Sequence, residues 1–550
     1  MYAQSWDALV DSYFDEAVFP FGPSNAVQEG FHAYDSQLED FSQANIQKEI
    51  AAAHRFEARF TAFPVGQLSA EQRADRDMVL SNIQSNLLEV ETIRMWEKDP
   101  DQYASTASGG AFVIMSRTFA PADVRLRALI AREKMMPKLF ADGKVNLKNP
   151  PKIYTEVAIE QVPDIITFFQ NDVPLAFKDV KDTALVNEFH QSNAVVIKEL
   201  QSWLTWLKQD LLPRSKGDYK LGADTYSKKL LYDEMVDIPL DKLLEIAYAD
   251  LRKNQEAFRD TAKKIDVKKT PQQILDEAEK DHPPADKMLQ AFRDTLSGLR
   301  EYIVAHNLMT IPSPVMPIVE ETPPFMRALT SASMDTPGPY EKVAKEAFFN
   351  VTLPEKTWSA AQTEDYLRSF NRGTIASTAI HEAFPGHYVQ FLWMPTAPSK
   401  VRKLISANTY VEGWAHYCEQ MMIDEGYGGG DLKLRLGQLQ DALLRDARFV
   451  VGIKIHTGQM TFEQGVDFFV KEGFQTKITG ERETKRGTSD PTYLYYTLGK
   501  LEIMKLREDY KKMRGAAYAI GDFHNEFLRQ GMPPIKIVRR TMLGNDSPVL

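Results

Sequence analysis

Cysteine occurs once in 550 residues, at Cys418, so no disulfide can form within the chain and no redox compartment can be inferred. A second absence is an apolar run of the roughly 20 residues needed to cross a bilayer, which argues against a membrane span. Positive charge is in deficit. The 66 Lys and Arg face 76 Asp and Glu, for a formal net charge of -10 and a pI near 5.6. Nucleic-acid binding needs a clustered basic surface, so that class is disfavoured. No fixed-period repeat stands out, which removes a solenoid. The opening, "MYAQSWDALVDSYF", lacks a basic stretch followed by an apolar one. It reads as a cytoplasmic start or as an exported protein with its signal removed. The expectation leans to export, because the Ala-Gln pair resembles a cleavage junction.

What is present is a 43% hydrophobic, globular composition. The first 300 residues read as successive helices. Ser69 and Gln72 form a capping box, and Val79, Ile83, Leu87 and Val90 follow at helical spacing. Val196, Leu200, Trp203 and Leu207 repeat the pattern, and Pro239 reads as a first-turn proline. Proline-rich segments between 311 and 354 interrupt it, with strand-like pieces at Val315–Glu320 and Ala347–Leu353. The expected fold is mainly α with a small sheet. Residues 1–310 form a helical region walling one side of a cleft, and 311–550 a catalytic region. The sheet suits a substrate-binding edge, because an extended peptide can pair with an exposed strand. A purely structural hairpin is the competing reading.

The chemistry concentrates in "TAIHEAFPGHYVQ". Catalytic zinc takes three protein ligands and leaves a fourth position for water. Histidines four apart on a helix lie about 40° apart around its axis, but six apart they diverge by about 120°. His381 and His387 are six apart. A regular helix therefore cannot make the site, whereas a break at Pro385-Gly386 could absorb two residues and return His387 to His381. Glu382 would then sit beside the metal's water without being a ligand. Downstream, "NTYVEGWAHYCEQMM" places Glu412, His416 and Glu419 on one helix face. Glu412 is the expected third ligand, and Glu419 is its competitor. His416 is read as an outer partner or a substrate contact, against a buried packing role.

"HEAFPGHYVQ", "EGWAHYCEQ", "DARFVVGIKIHTGQMTFEQGVDFF", "YYTLGKLEIMKLRE" and "FHNEFLRQGMPPIKIVRR" together resemble the bacterial domain-of-unknown-function family 885, DUF885, from about residue 340 to 541. That resemblance implies a large helical metallopeptidase fold like those of Taq-type carboxypeptidases and thimet-type oligopeptidases. It implies one zinc ion per chain held by His381, His387 and Glu412, with Glu382 as general base, and small peptides as substrates. Two departures touch specificity. "GIKI" precedes His456 where the family commonly has an aspartate and a glycine, and "ETKRGTSDPTYLYY" replaces expected Arg-Tyr and Pro-Gly-Gln elements.

His456 is a candidate donor to the tetrahedral intermediate, or a packed core histidine. Tyr493, Tyr495 and Tyr496 could stabilise an oxyanion, although aromatic runs are usually core. Arg482, Lys485 and Arg486 could clamp a C-terminal carboxylate, although charge runs are usually solvated faces. Arg445 and Arg448 are read with the same reserve. The expected reaction is peptide hydrolysis of carboxypeptidase or oligopeptidase type. The rivals are hydrolysis of another amide and non-catalytic peptide binding. Oligomeric state is left open, a homodimer being one option.

Overall fold

Residues 5–323, 327 and 330–550 are described by a computed structural model. The Ala-Gln pair at the start lies outside them. The chain is mainly α-helical with one small sheet, and it divides into two compact units. Of the described residues, the first comprises 5–219, 323, 327, 330 and 336–346; the second comprises 220–322, 331–335 and 347–550. Residues 220–310, read from sequence with the N-terminal half, thus pack within the second unit. Their long helix, Leu240–Ile265, is laid against the Leu432–His456 helix.

In the first unit the helices follow from their periodicity. Ser69 and Gln72 make the expected reciprocal cap on Ala70–Leu87. Val196, Leu200, Trp203 and Leu207 are buried, and Trp203 packs on Tyr103 and Phe140. Deleting such a buried aromatic costs about 3–5 kcal/mol.

In the second unit Pro239 stands one position earlier than read, at the cap of Leu240–Ile265. Three strands, β1 (Ile318–Glu321), β2 (Ala332–Asp335) and β3 (Phe348–Val351), make a sheet of order β1-β3-β2. The outer strands flank β3 in parallel and antiparallel register, with Val319 and Met334 both opposite Phe349. Phe349 and Val351 are fully buried, which anchors the sheet in the core. β1 packs on the Met288–Ala305 helix and β2 on the Arg372–Glu382 helix. The Ala-Ser-Met-Asp strand alternates apolar and polar residues over only four positions and has no β-branched or aromatic residue, so the sequence announces it weakly.

Candidate metal centre

Four helices of the second unit build the site. Arg372–Glu382 carries His381 and Glu382, His387–Trp393 starts on His387, Asn408–Asp424 carries Glu412, His416 and Glu419, and Leu432–His456 carries Arg445. The interruption expected at Pro385-Gly386 is present. Asn371 caps the first helix through its side chain, and that helix ends at Glu382. The following turns are widened: Phe384 N–H donates to Ala379 C=O at 3.1 Å and Gly386 N–H to Ile380 C=O at 2.9 Å. Those are spans of five and six residues where a helix uses four, and this absorbs the two extra residues. Gly386 is required by proximity, since a Cβ there would lie 1.7 Å from the His381 carbonyl oxygen. The Phe384–Pro385 peptide is cis. Trp414 Nε1–H donates to the Pro385 carbonyl at 2.9 Å, tying the break to the Glu412 helix.

The two imidazoles consequently meet edge to face, their ring centres 4.8 Å apart. Glu412 Oε2 lies 3.3 Å from His381 Nε2 and 3.4 Å from His387 Nε2. This oxygen is buried without a hydrogen bond that satisfies it. Ligands 2.0–2.1 Å from a tetrahedral zinc stand about 3.3 Å from one another, so the two Glu412 separations fit such an ion. The three ligand atoms all lie within 4.8 Å of one another. The donor set of two imidazoles and one carboxylate also suits zinc. The Glu412 side chain is 22% exposed beside the two buried histidines.

Behind the cluster, Glu419 is fully buried. Its Oε1 accepts from His381 Nδ1 at 2.7 Å and Arg445 Nη2 at 2.9 Å, and its Oε2 from His416 Nδ1 at 3.1 Å. Burial alone would raise its pKa, but Arg445 and His416 override it and hold the carboxyl well below its usual range. His387 Nδ1 faces the Gln390 amide oxygen at 3.3 Å. Glu382 is partly buried one residue past His381, and burial raises its pKa against the opposing pull of His387 and His381.

Among the outer candidates, Tyr496 reaches the cluster. Its ring lies 6.2 Å from that of His381, and its hydroxyl accepts from Arg486 Nη2 at 3.2 Å. Arg486, 39% exposed, also bonds Asp490 at 3.0 Å. The remaining candidates are placed elsewhere. His416 is fully enclosed and touches Glu419, so it cannot meet substrate. His456 lies eleven residues beyond Arg445 on the same helix, roughly 16 Å along its axis, and bonds the Gly487 carbonyl at 2.7 Å. Tyr493 is buried against Gly452 and Gly487, close to the Glu483 carbonyl, as a packing residue. Arg482 is exposed and does not join the cluster. Sequence reasoning missed the Gln390 contact, whose signal was its position three residues after His387 on one helical turn.

This is a mainly α-helical protein with a buried cluster of two histidines and a glutamate built on a broken helix. The chain belongs to the DUF885 family, bacterial proteins of unknown function, whose model matches residues 23–542. No curated protein matches it. A solved structure of a candidate lipoprotein of unknown function from Shewanella oneidensis is 27% identical, with a TM-score of 0.81 over 98% of this chain and 100% of that one. A candidate lipoprotein from Colwellia psychrerythraea shares the fold, with a TM-score of 0.82 at 16% identity over 98% of this chain and 99% of that one.

Proposed function

We propose that this protein is a zinc-dependent peptidase that shortens small peptides, in the manner of a carboxypeptidase. The observation that carries this reading is the convergence of His381 Nε2, His387 Nε2 and Glu412 Oε2, with Glu412 at tetrahedral-edge distances from both histidines. Bound there, zinc supplies Lewis acidity, lowering the pKa of water and polarising a carbonyl. Glu382 takes the proton of the attacking water and passes it to the leaving amine, a task suited to a carboxylate whose pKa burial has raised. Tyr496 already accepts from Arg486, so its own hydroxyl proton is free to be donated to a developing oxyanion. The half-exposed Arg486 is the remaining candidate for a terminal carboxylate. Export is supported by the description of the Shewanella relative as a candidate lipoprotein.

The test is metal analysis of the purified protein together with mass-spectrometric products from a peptide library. Close to one zinc per chain and stepwise C-terminal shortening are expected. Amidating the peptide C-terminus should slow turnover, and no slowing would remove Arg486 from carboxylate recognition. Zinc without peptide products would favour another amide as substrate. Absence of bound zinc, even after zinc is added, would leave the non-catalytic reading.

A further inference from the structure

His381 and His387 enter the cluster on unequal footings. Behind His381 stands a carboxylate with no exposure at all, 2.7 Å from Nδ1. Behind His387 stands the neutral Gln390 amide at 3.3 Å, itself donating to the Tyr410 carbonyl at 3.3 Å. A carboxylate acceptor requires the proton on Nδ1, which in the neutral imidazole that binds a metal leaves the Nε2 lone pair on the side where Glu412 lies. The same geometry removes Glu419 from the ligand set: it sits at the opposite nitrogen of the His381 ring from Glu412. Arg445 fixes that carboxylate in an ion pair, with Nη2 at 2.9 Å from Glu419 Oε1 and Nη1 donating to the Asp441 carbonyl of its own helix at 3.1 Å.

Resting on the metal reading above, we infer that Glu419 is the positioning residue that makes His381 a metal ligand, with Arg445 holding that carboxylate in place. Outer carboxylates of this kind set the tautomer and basicity of a ligating imidazole, and losing one weakens metal binding about 10- to 100-fold. A purely structural Glu419 would affect only the stability of the fold.

The test uses the full chain as wild type, Glu419→Gln, and the double variant Glu419→Gln with Arg445→Met. The double variant leaves no arginine stranded beside the altered side chain and is read alone if the single one fails to fold. Zinc is titrated in competition with a chromophoric chelator, and the visible bands of the cobalt(II)-loaded proteins are recorded beside melting curves of the metal-free forms. Affinity weakened about 10- to 100-fold with shifted cobalt bands is the expected result. Wild-type affinity and unchanged bands in the folded variants would overturn the inference, whatever happens to melting temperature. Failure of the wild type itself to bind zinc or cobalt would instead overturn the metal reading beneath it.

Discussion

Neighbouring glutamates receive opposite tasks from the surroundings of their side chains. In the metal-free site burial would raise the Glu412 pKa, but the charge of His387 and His381 overrides it and lowers it, whereas burial raises that of Glu382. One is thereby suited to bind a cation and the other to move a proton. Glu382→Gln should keep zinc while turnover falls by about 10²-fold or more, the scale of general-base loss. Glu412→Gln should lose both zinc and activity. Metal content and rates on the two variants separate the roles, and the reverse pattern would show them exchanged. At this scale the sequence was informative where spacing dictates geometry. Histidines six apart with Pro-Gly between them demand a break, and the break is there. It was uninformative where burial decides. Glu412 and Glu419 share a helix face, and only packing separates them, with Glu412 at His381 Nε2 and Glu419 at Nδ1 beside Arg445. Spacing and residue type carry no measure of enclosure, so sequence leaves a substrate contact open for His416 and an oxyanion role open for Tyr493, and burial closes both.

Helix ends and helix crossings hold these side chains in register. The Asn408–Asp424 helix begins after Ala407, which offers no side-chain cap. Glu234 supplies one from another helix, accepting from Asn408 N–H at 3.1 Å, Thr409 N–H at 2.8 Å and the Thr409 hydroxyl at 2.6 Å. Glu234→Ala should lower stability by about 1–3 kcal/mol, measured by denaturant melts, and an unchanged midpoint would deny the cap any weight. Where the same helix crosses Tyr495–Arg514, a Cβ on Gly413 would come within 2.6 Å of Gly499, so paired glycines let the backbones approach. A distant capping partner cannot be read from sequence, whereas the local box at Ser69 and Gln72 could. A buried ion pair ties the Arg445 helix to Lys477–Ser489: Arg448 meets both oxygens of Glu483, at 2.7 and 3.1 Å. Burial would raise the Glu483 pKa, but Arg448 overrides it and holds it at about 2. A depressed carboxyl stabilises the fold above its unfolded value near 4.5 and loses that contribution as pH falls towards 2. Arg448→Met, which strands the carboxylate, should therefore lower the melting temperature most at neutral pH. The gap to wild type should close below about pH 4.5, and the closing contribution is on the order of 3 kcal/mol. A gap independent of pH would refute the assignment.

All three candidate ligands belong to the second compact unit, although the chain visits the first unit between its strands. That excursion is why the division at residue 219 was not legible. Helical patterning runs on across it, and the segment 336–346 joins the first unit only through tertiary contact. The arrangement has a thermodynamic consequence if the cluster binds zinc. A ligand that binds only the folded form stabilises it by about 2.7 kcal/mol at a hundredfold excess over Kd, and the effect is felt where opening would break the site. Hydrogen exchange followed by mass spectrometry, with and without zinc, should therefore show slowing in peptides covering 372–393 and 408–456. Peptides from the Trp203 core of the first unit should exchange at the same rate in both conditions, provided exchange there proceeds by local opening. Equal protection throughout the chain would mean that the two units open as one cooperative body. No protection at 372–393 would mean that His381 and His387 hold no ion in solution, and the peptidase reading would fall with them.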